Sequence, residues 1–98
     1  MKAKSPIPQG RIVLNENLIS WKDIDGEVVF LQKEEKKFYE LNKTASFIWK
    51  VCVKYQKIPQ VIRTMQERYR KVNKTIIEKD TLDFIKQLVD KKLFIIQK

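Results

Sequence analysis

Side chains that commonly perform acid–base or metal chemistry are scarce in this sequence. Its 98 residues include no histidine and a single cysteine, Cys52. Histidine is the commonest general base near neutral pH and the commonest ligand of transition metals, and zinc or iron–sulfur sites normally need several thiolate or imidazole ligands. The composition therefore argues against metal sites and redox catalysis, and Cys52 is best interpreted as a small core residue.

Pairs of carboxylates are the remaining candidates for catalysis. Asp80 and Asp83 are spaced to share one face of a helix, and Asp23 lies close to Asp25. The helical pair is more simply explained by a favourable interaction with the positive end of the helix dipole. The two glycines of the chain lie far apart, so the sequence has no glycine-rich phosphate-binding loop. We therefore expect a protein that is not an enzyme and that needs no cofactor.

The first half of the chain predicts β-strands. Segments 18–24 and 27–32 flank Asp25-Gly26, a two-residue signal for a type I′ hairpin whose central residues both need positive φ. A looser connection leads to segment 37–41, and the three segments together predict an antiparallel meander. The outer strands of such a meander have unpaired backbone N–H and C=O groups, which a guest chain can use.

From Asn42 onward the spacing of apolar residues is helical. The first predicted helix has an apolar stripe, with its members at positions i, i+3, i+4 and i+7, and both Asn42 and Asn73 are interpreted as helix-cap or turn residues. The stripe consists of Ala45, Ile48, Trp49 and Cys52.

Two further helices and an extended tail complete the prediction. The second helix is expected to begin near Pro59, because proline is tolerated in a first turn. The third is indicated by Thr75 and Glu78, which have the spacing of a capping box. After Lys91, the apolar run 93–96 is too short for a helix and is expected to pack back as an extended segment.

This order of elements favours an α+β fold of the winged helix-turn-helix type, with a three-stranded antiparallel β-meander followed by three α-helices. Residues 1–11 are expected to form a flexible basic arm, and residues 12–98 a single domain with one modest core. No apolar run approaches the roughly 20 residues that span a bilayer, and the N-terminus lacks the apolar stretch of a secretory signal. A soluble, cytoplasmic protein is expected.

The junction between the third strand and the first helix, FYELNKTASFIW, resembles the pattern YxLNxTAxxIW. That pattern is found in the PqqD-like family of peptide-binding domains, also called RiPP precursor peptide recognition elements, and the resemblance extends over roughly residues 18–96. Many members have glycines where this chain has Lys57 and Lys92. The matching residues are Tyr39, Leu41, Asn42, Thr44, Ala45, Ile48, Trp49, Tyr69, Asp80, Phe84, Leu88 and Leu93.

The resemblance implies the same winged-helix fold and a peptide-chaperone function. In that family the leader segment of a ribosomally made precursor peptide adds as an extra strand to the third strand, in a groove walled by the third helix. The protein would present the peptide to a modifying enzyme, such as a radical S-adenosylmethionine (SAM) enzyme or a leader peptidase, in RiPP or PQQ-type biosynthesis. The implied peptide-binding residues are Lys37, Phe38, Tyr39, Glu40 and Leu41 on the strand and Thr81, Phe84, Ile85 and Leu88 on the helix.

Alternation along the strand divides these residues between two faces. Tyr39 and Leu41 are expected to face the core, whereas Phe38 and Glu40 point the other way, toward a ligand or solvent. Phe84 lies beside the inner stripe of its helix, so either an exposed peptide anchor or an ordinary core residue fits the pattern.

A net charge of +9 makes nucleic acid the main alternative ligand. A recognition helix formed by the third helix would offer Glu78, Asp80 and Asp83 to a polyanion, which argues against it. The basic residues of the first two helices are instead candidates for docking the modifying enzyme, or simply a solvated face. A third possibility is an interaction domain whose open strand pairs with its own copy to form a homodimer. The candidate docking residues are Lys50, Lys54 and Arg68.

Overall fold

The computed structural model describes residues 10–97. Most of the expected basic arm, residues 1–9, lies outside them. The described part folds as an α+β protein in which a three-stranded antiparallel sheet precedes three helices. Its elements are β1 (Arg11–Leu14), β2 (Ile19–Ile24), β3 (Glu27–Gln32), β4 (Lys37–Glu40), α1 (Lys43–Tyr55), α2 (Ile58–Arg68), α3 (Lys74–Asp90) and β5 (Phe94–Gln97).

The predicted meander is confirmed as the sheet β2-β3-β4, with β3 in the centre. The β2–β3 turn has the positive φ angles that a type I′ turn requires, 52° at Asp25 and 88° at Gly26. The Gly26 N–H also donates to Asp23 Oδ1 at 2.8 Å. This turn fixes the register so that Trp21 lies opposite Phe30.

A second sheet pairs the two ends of the described chain. β1 lies antiparallel to β5, with Arg11 opposite Gln97 and Leu14 opposite Phe94. The extended tail predicted after α3 is thus confirmed, but its partner strand was not predicted. Arg11, which was expected in the arm, begins β1, and Ile12 is completely buried. The folded part of the chain therefore includes both residues.

Asparagine side chains cap α1 and α3. Asn42 Oδ1 accepts the Ala45 N–H at 2.8 Å, and Asn73 Oδ1 accepts the Thr75 N–H at 2.8 Å. The predicted capping box of Thr75 and Glu78 is therefore wrong. Asparagine is among the strongest N-caps, and Asn73 starts the helix two residues before Thr75. Pro59 lies in the first turn of α2, as predicted.

Stacked aromatic rings join the sheet, the first helix and the β1–β5 ribbon. Trp49 of α1 is fully buried and stacks on Phe30 of β3, with ring centroids 4.9 Å apart. Its ring also meets Trp21 edge-on at 6.1 Å and Phe94 at 4.9 Å. Cys52, one turn further along α1, is buried as well, and this burial raises the pKa of its thiol to about 12. The thiol is therefore protonated at neutral pH and behaves as an apolar core group.

Two helices end on a residue with left-handed backbone. Gln56 has φ 67° after α1, and Lys92 has φ 64° after α3. The Lys92 N–H bonds to the Val89 oxygen and the Leu93 N–H to the Leu88 oxygen, which together form a Schellman motif. This motif directs the chain from α3 back into β5. None of the helices within residues 10–97 is long and apolar enough to cross a membrane.

Candidate functional site: a groove beside an open strand edge

Strand β4 forms one edge of the three-stranded sheet, with β3 on one side. Within residues 10–97, no strand pairs with its other side. The Leu41 N–H donates to the Val28 oxygen at 2.9 Å, so the alternation of an antiparallel ladder makes Tyr39 and Phe30 a hydrogen-bonded pair. The backbone N–H and C=O groups of Phe38 and Glu40 therefore point toward the open edge.

The same ladder determines where the side chains of β4 point. Tyr39 lies opposite Phe30 on the core face, and Phe38 lies opposite Leu31 on the outer face, as the sequence predicts. Phe38 is 72% exposed and Tyr39 is 40% exposed. Tyr39 is thus less buried than a core residue, because its strand has no neighbour beyond it.

A groove of about 460 Å³ separates β4 from α3. Its floor and walls are largely apolar, and its polar groups come from both sides. The residues that line it are Phe30, Gln32, Glu35, Tyr39, Glu40, Leu41, Phe84, Gln87, Leu88, Lys91 and Leu93.

The structure brings together five of the nine expected peptide-binding residues along this groove. These are Tyr39, Glu40, Leu41, Phe84 and Leu88. Phe84 is half-buried at the groove wall. Part of its ring packs against the core, and part of it faces the groove.

The other four expected residues are not in the groove lining. Thr81 and Ile85 lie on the buried face of α3, with 1% and 2% exposure. Lys37 and Phe38 are exposed on the strand itself. Their contribution to a bound peptide would come from the backbone of β4 or from the outer face of the sheet.

Several lining residues were not predicted. Gln87 and Lys91 follow Phe84 at positions i+3 and i+7, so helical spacing from that residue could have identified them. Glu35 lies in the turn before β4, where no periodic pattern indicates which way a side chain points. Sequence reasoning therefore found the strand, including Glu40, and part of the helix wall, but missed Glu35, Gln87 and Lys91.

Tyr39 and Glu35 form the rim of the groove. The Tyr39 ring stacks on Phe30 with centroids 5.2 Å apart. Its hydroxyl donates to Glu35 Oε1 at 2.7 Å, and this hydrogen bond to a carboxylate raises the pKa of Tyr39 above its ordinary value. The Glu35 backbone N–H in turn donates to Gln32 Oε1 at 2.8 Å. The rim is therefore held in place by consecutive hydrogen bonds.

The polar end of the groove is the end that carries both an acidic and a basic side chain, Glu35 and Lys91. The Asn15 N–H donates to the Leu93 oxygen and the Lys33 N–H to the Leu18 oxygen, so the end of α3 and the end of β3 meet the same loop. Glu35 and Lys91 consequently lie toward this end, whereas Leu41 lies at the opposite end of β4. A bound segment would meet Glu35 and Lys91 at this end and Glu40 near the other.

A buried serine supports the strand from behind. Ser46 of α1 is fully buried, and its hydroxyl accepts the Val28 N–H at 2.7 Å. The same hydroxyl donates to the Leu41 oxygen at 3.2 Å. Ser46 thus satisfies backbone groups where β4 ends and α1 begins, and it holds this junction against β3.

The candidate docking residues lie outside the groove, and Lys50 and Arg68 contact side chains of other elements. Lys50 Nζ binds Asp23 Oδ2 at 2.8 Å, which lowers the pKa of the Asp23 carboxyl group. Lys54 lies 5.2 Å from the centre of the Tyr55 ring. Arg68 of α2 lies 4.6 Å from the centre of the Phe47 ring on α1. Lys54 and Arg68 are exposed and Lys50 is half-buried, and Lys50 and Arg68 also hold elements together.

Comparison with solved structures finds two similar folds. The structure of TbiB1 in complex with the TbiA(beta) leader peptide matches with a TM-score of 0.71 and 24% identity, over 80% of this chain and 90% of that one. A lasso peptide synthetase B1 complexed with the leader peptide matches with a TM-score of 0.74 and 21% identity, over 88% and 99% of the two chains. Among curated proteins, no sequence matches this chain.

The model of one protein family matches residues 27–93, which run from β3 through α3 and include the strand–helix junction. That family is described as coenzyme PQQ synthesis protein D (PqqD). The match covers more than half of the chain and contains both sides of the groove, so this chain belongs to the PqqD family.

Proposed function

We propose that this protein is a non-catalytic peptide chaperone that binds the leader segment of a ribosomally made precursor peptide. The observation that carries the proposal is the open edge of β4 beside an apolar groove. Family membership supports it, as do the two similar folds, both of which are leader-peptide complexes. No cofactor is needed for this function.

Binding would occur by β-strand addition. A guest strand would pair with the outward-pointing N–H and C=O groups of Phe38 and Glu40, which gives affinity without sequence preference. Successive side chains of a strand point to opposite faces, so every second guest residue would enter the groove. The guest residue opposite Tyr39 would lie between β4 and Phe84.

The chemistry of the groove suggests what the guest should contain. Phe30, Leu41, Phe84 and Leu88 offer an apolar surface, which favours aliphatic or aromatic side chains at alternate guest positions. Toward the polar end, Glu35 and Lys91 can each pair with a guest residue of opposite charge. Apolar burial would supply most of the affinity, and pairing with Glu35 and Lys91 would set the register.

The bound leader would be presented to a modifying enzyme, such as a radical SAM enzyme or a leader peptidase. We assign the docking of that enzyme to Lys50, Lys54 and Arg68, which lie away from the groove. The arrangement of helices and strands supports a winged helix-turn-helix fold. Because ribosomes make the proposed guest, we expect the protein to act in the cytoplasm.

Titration with leader peptides encoded beside the gene tests this function, with fluorescence anisotropy of labelled peptide as the measurement. A leader should bind, and Phe84→Asp should weaken binding by roughly tenfold or more, because it places a charge against an apolar guest side chain. Ile76→Asp is the matched control, since Ile76 is 52% exposed on the same helix outside the groove lining. Absence of binding by every neighbouring leader, or equal losses in both variants, would contradict the proposal.

A further inference from the structure

A second concave surface lies at the corner between α2 and α3. It is a depression of about 550 Å³, distinct from the peptide groove. Gln66 Nε2 donates to the Lys74 oxygen at 3.2 Å, so a hydrogen bond joins its two walls. The lining residues are Arg63, Gln66, Glu67, Arg70 and Lys74.

The positive charges of this depression have no carboxylate partner within the described chain. The ion pairs between residues 10–97 join Lys50, Lys79 and Lys86 to aspartates, and Arg63, Arg70 and Lys74 are in none of them. Only Glu67 among the lining residues is acidic. In addition, the first turn of α3 has no acidic residue to offset the positive end of its dipole. The depression therefore carries a concentrated positive charge.

Exposed apolar side chains lie at the same corner. Val72, in the α2–α3 turn, is 41% exposed, and Ile76, in the first turn of α3, is 52% exposed. Most large apolar side chains in the described chain belong to the core, so two exposed ones four positions apart, one in the α2–α3 turn and one at the start of α3, are unusual for a merely solvated face. Basic and apolar groups together match a ligand that has both carboxylates and apolar side chains.

From this combination we propose that the α2–α3 corner docks an acidic, amphipathic segment of a partner protein. Arg63 and Arg70 would receive its carboxylates, for which a planar guanidinium is well suited, and Val72 and Ile76 would cover its aliphatic residues. The leader groove is on other residues, so a protein bound here leaves the β4 edge open. This surface is a second docking site beside the one assigned to Lys50, Lys54 and Arg68.

A protein segment fits this corner better than a nucleic acid does. Beyond its first turn α3 carries Glu78, Asp80 and Asp83, and only Asp83 is paired with a lysine among the described residues. A phosphate backbone that follows the helix would meet these carboxylates, whereas a short acidic segment need contact only the depression and the adjoining turn.

The test uses a labelled synthetic peptide built from Glu-Glu-Leu-Leu repeats, titrated with the full chain. We expect it to bind, and we expect Arg63→Glu with Arg70→Glu to weaken it by about tenfold or more. Binding should also weaken as sodium chloride rises from about 50 mM to about 500 mM. The matched control is Lys22→Glu with Lys57→Glu, which changes the net charge equally but lies on β2 and at the far end of α2.

The possible outcomes separate the alternatives. Loss in the Arg63/Arg70 variant alone supports the proposal, and Arg63→Gln with Arg70→Gln should show a smaller loss in the same direction. Equal loss in both charge-reversed proteins would overturn it, because diffuse charge would then explain the binding. Tighter binding of random duplex DNA or phosphatidylserine vesicles, lost in the same variant, would also overturn it. Leader titration of each variant checks its folding and keeps this result separate from the proposed leader function.

Discussion

Tyr39 stacks on the core and forms the rim of the groove at the same time. Its ring is held by Phe30 and its hydroxyl by Glu35. The sequence predicts the first contact, since alternation places Tyr39 on the core face. The hydrogen bond to Glu35 depends on the path of the β3–β4 turn, which no periodic pattern in the sequence specifies.

The Tyr39–Glu35 hydrogen bond gives a pH-dependent prediction. Because donation to Glu35 raises the pKa of Tyr39, the bond stabilises the folded protein below the ordinary phenol pKa and is lost as pH rises through the folded value. We expect Glu35→Gln to move the Tyr39 pKa back toward 10.0, its ordinary value. Ultraviolet titration of the phenolate measures it, with Tyr39→Phe identifying the signal. An unchanged titration would show that the bond is absent in solution.

Lys92 gives a prediction about stability. A lysine with φ 64° at the end of α3 is strained relative to glycine, by on the order of 1 kcal/mol, part of which glycine loses again in the unfolded chain. We expect Lys92→Gly to raise the free energy of unfolding by about 0.5–1 kcal/mol in urea denaturation. Lys91→Gly is the control, because Lys91 has φ −87° and glycine there should destabilise. A loss of stability in Lys92→Gly would contradict the strain argument.

At the level of elements, β4 is short and open, yet it is fixed on its inner side. The register with β3 holds its inner backbone groups and the Ser46 hydroxyl binds the Leu41 oxygen just after it, while Phe38 and Glu40 present theirs outward. Much of this arrangement was predictable, because the Asp25-Gly26 turn, the strand–helix junction and the Asn42 cap are local signals. β1 was not, because its residues pair with residues of β5 that are 80 to 86 positions away in the sequence.

Proline substitutions in β4 should have opposite consequences at neighbouring positions. Phe38→Pro removes an N–H that faces the open edge, so the fold should persist while leader affinity falls roughly tenfold. Tyr39→Pro removes a bond to β3 and should destabilise the sheet itself. Thermal unfolding and leader titration together distinguish the two, and Phe38→Ala controls for the lost ring. Normal leader affinity in a folded Phe38→Pro protein would argue against strand addition.

For the molecule as a whole, peptide binding and partner docking are assigned to different surfaces. The groove lies between β4 and α3, whereas Lys50, Lys54 and Arg68 lie on α1 and α2. The positions of the charges in the sequence allow this division as one interpretation and a solvated face as the other, but they could not reveal that Lys50 pairs with Asp23 across elements.

Charge reversal tests this division. Lys50→Glu, Lys54→Glu and Arg68→Glu together should weaken docking of the modifying enzyme and leave leader affinity within about twofold, since none of the three lines the groove. Pull-down with the enzyme and leader titration are compared on the same protein, and Lys22→Glu is the control for each single reversal, which changes the net charge by the same amount. Parallel loss of both activities would refute separate surfaces.

Measuring the size of the protein in solution at several concentrations tests the alternative in which β4 pairs with its own copy to form a homodimer.

Amide hydrogen exchange, followed by NMR with and without saturating leader peptide, tests strand addition most directly. The Phe38 and Glu40 N–H groups should exchange quickly in the free protein and slow by about tenfold or more in the complex. The Tyr39 N–H, which faces β3, should already be protected and change less. Fast exchange at both Phe38 and Glu40 in a saturated complex would contradict the account, because the peptide would then be bound without pairing to β4.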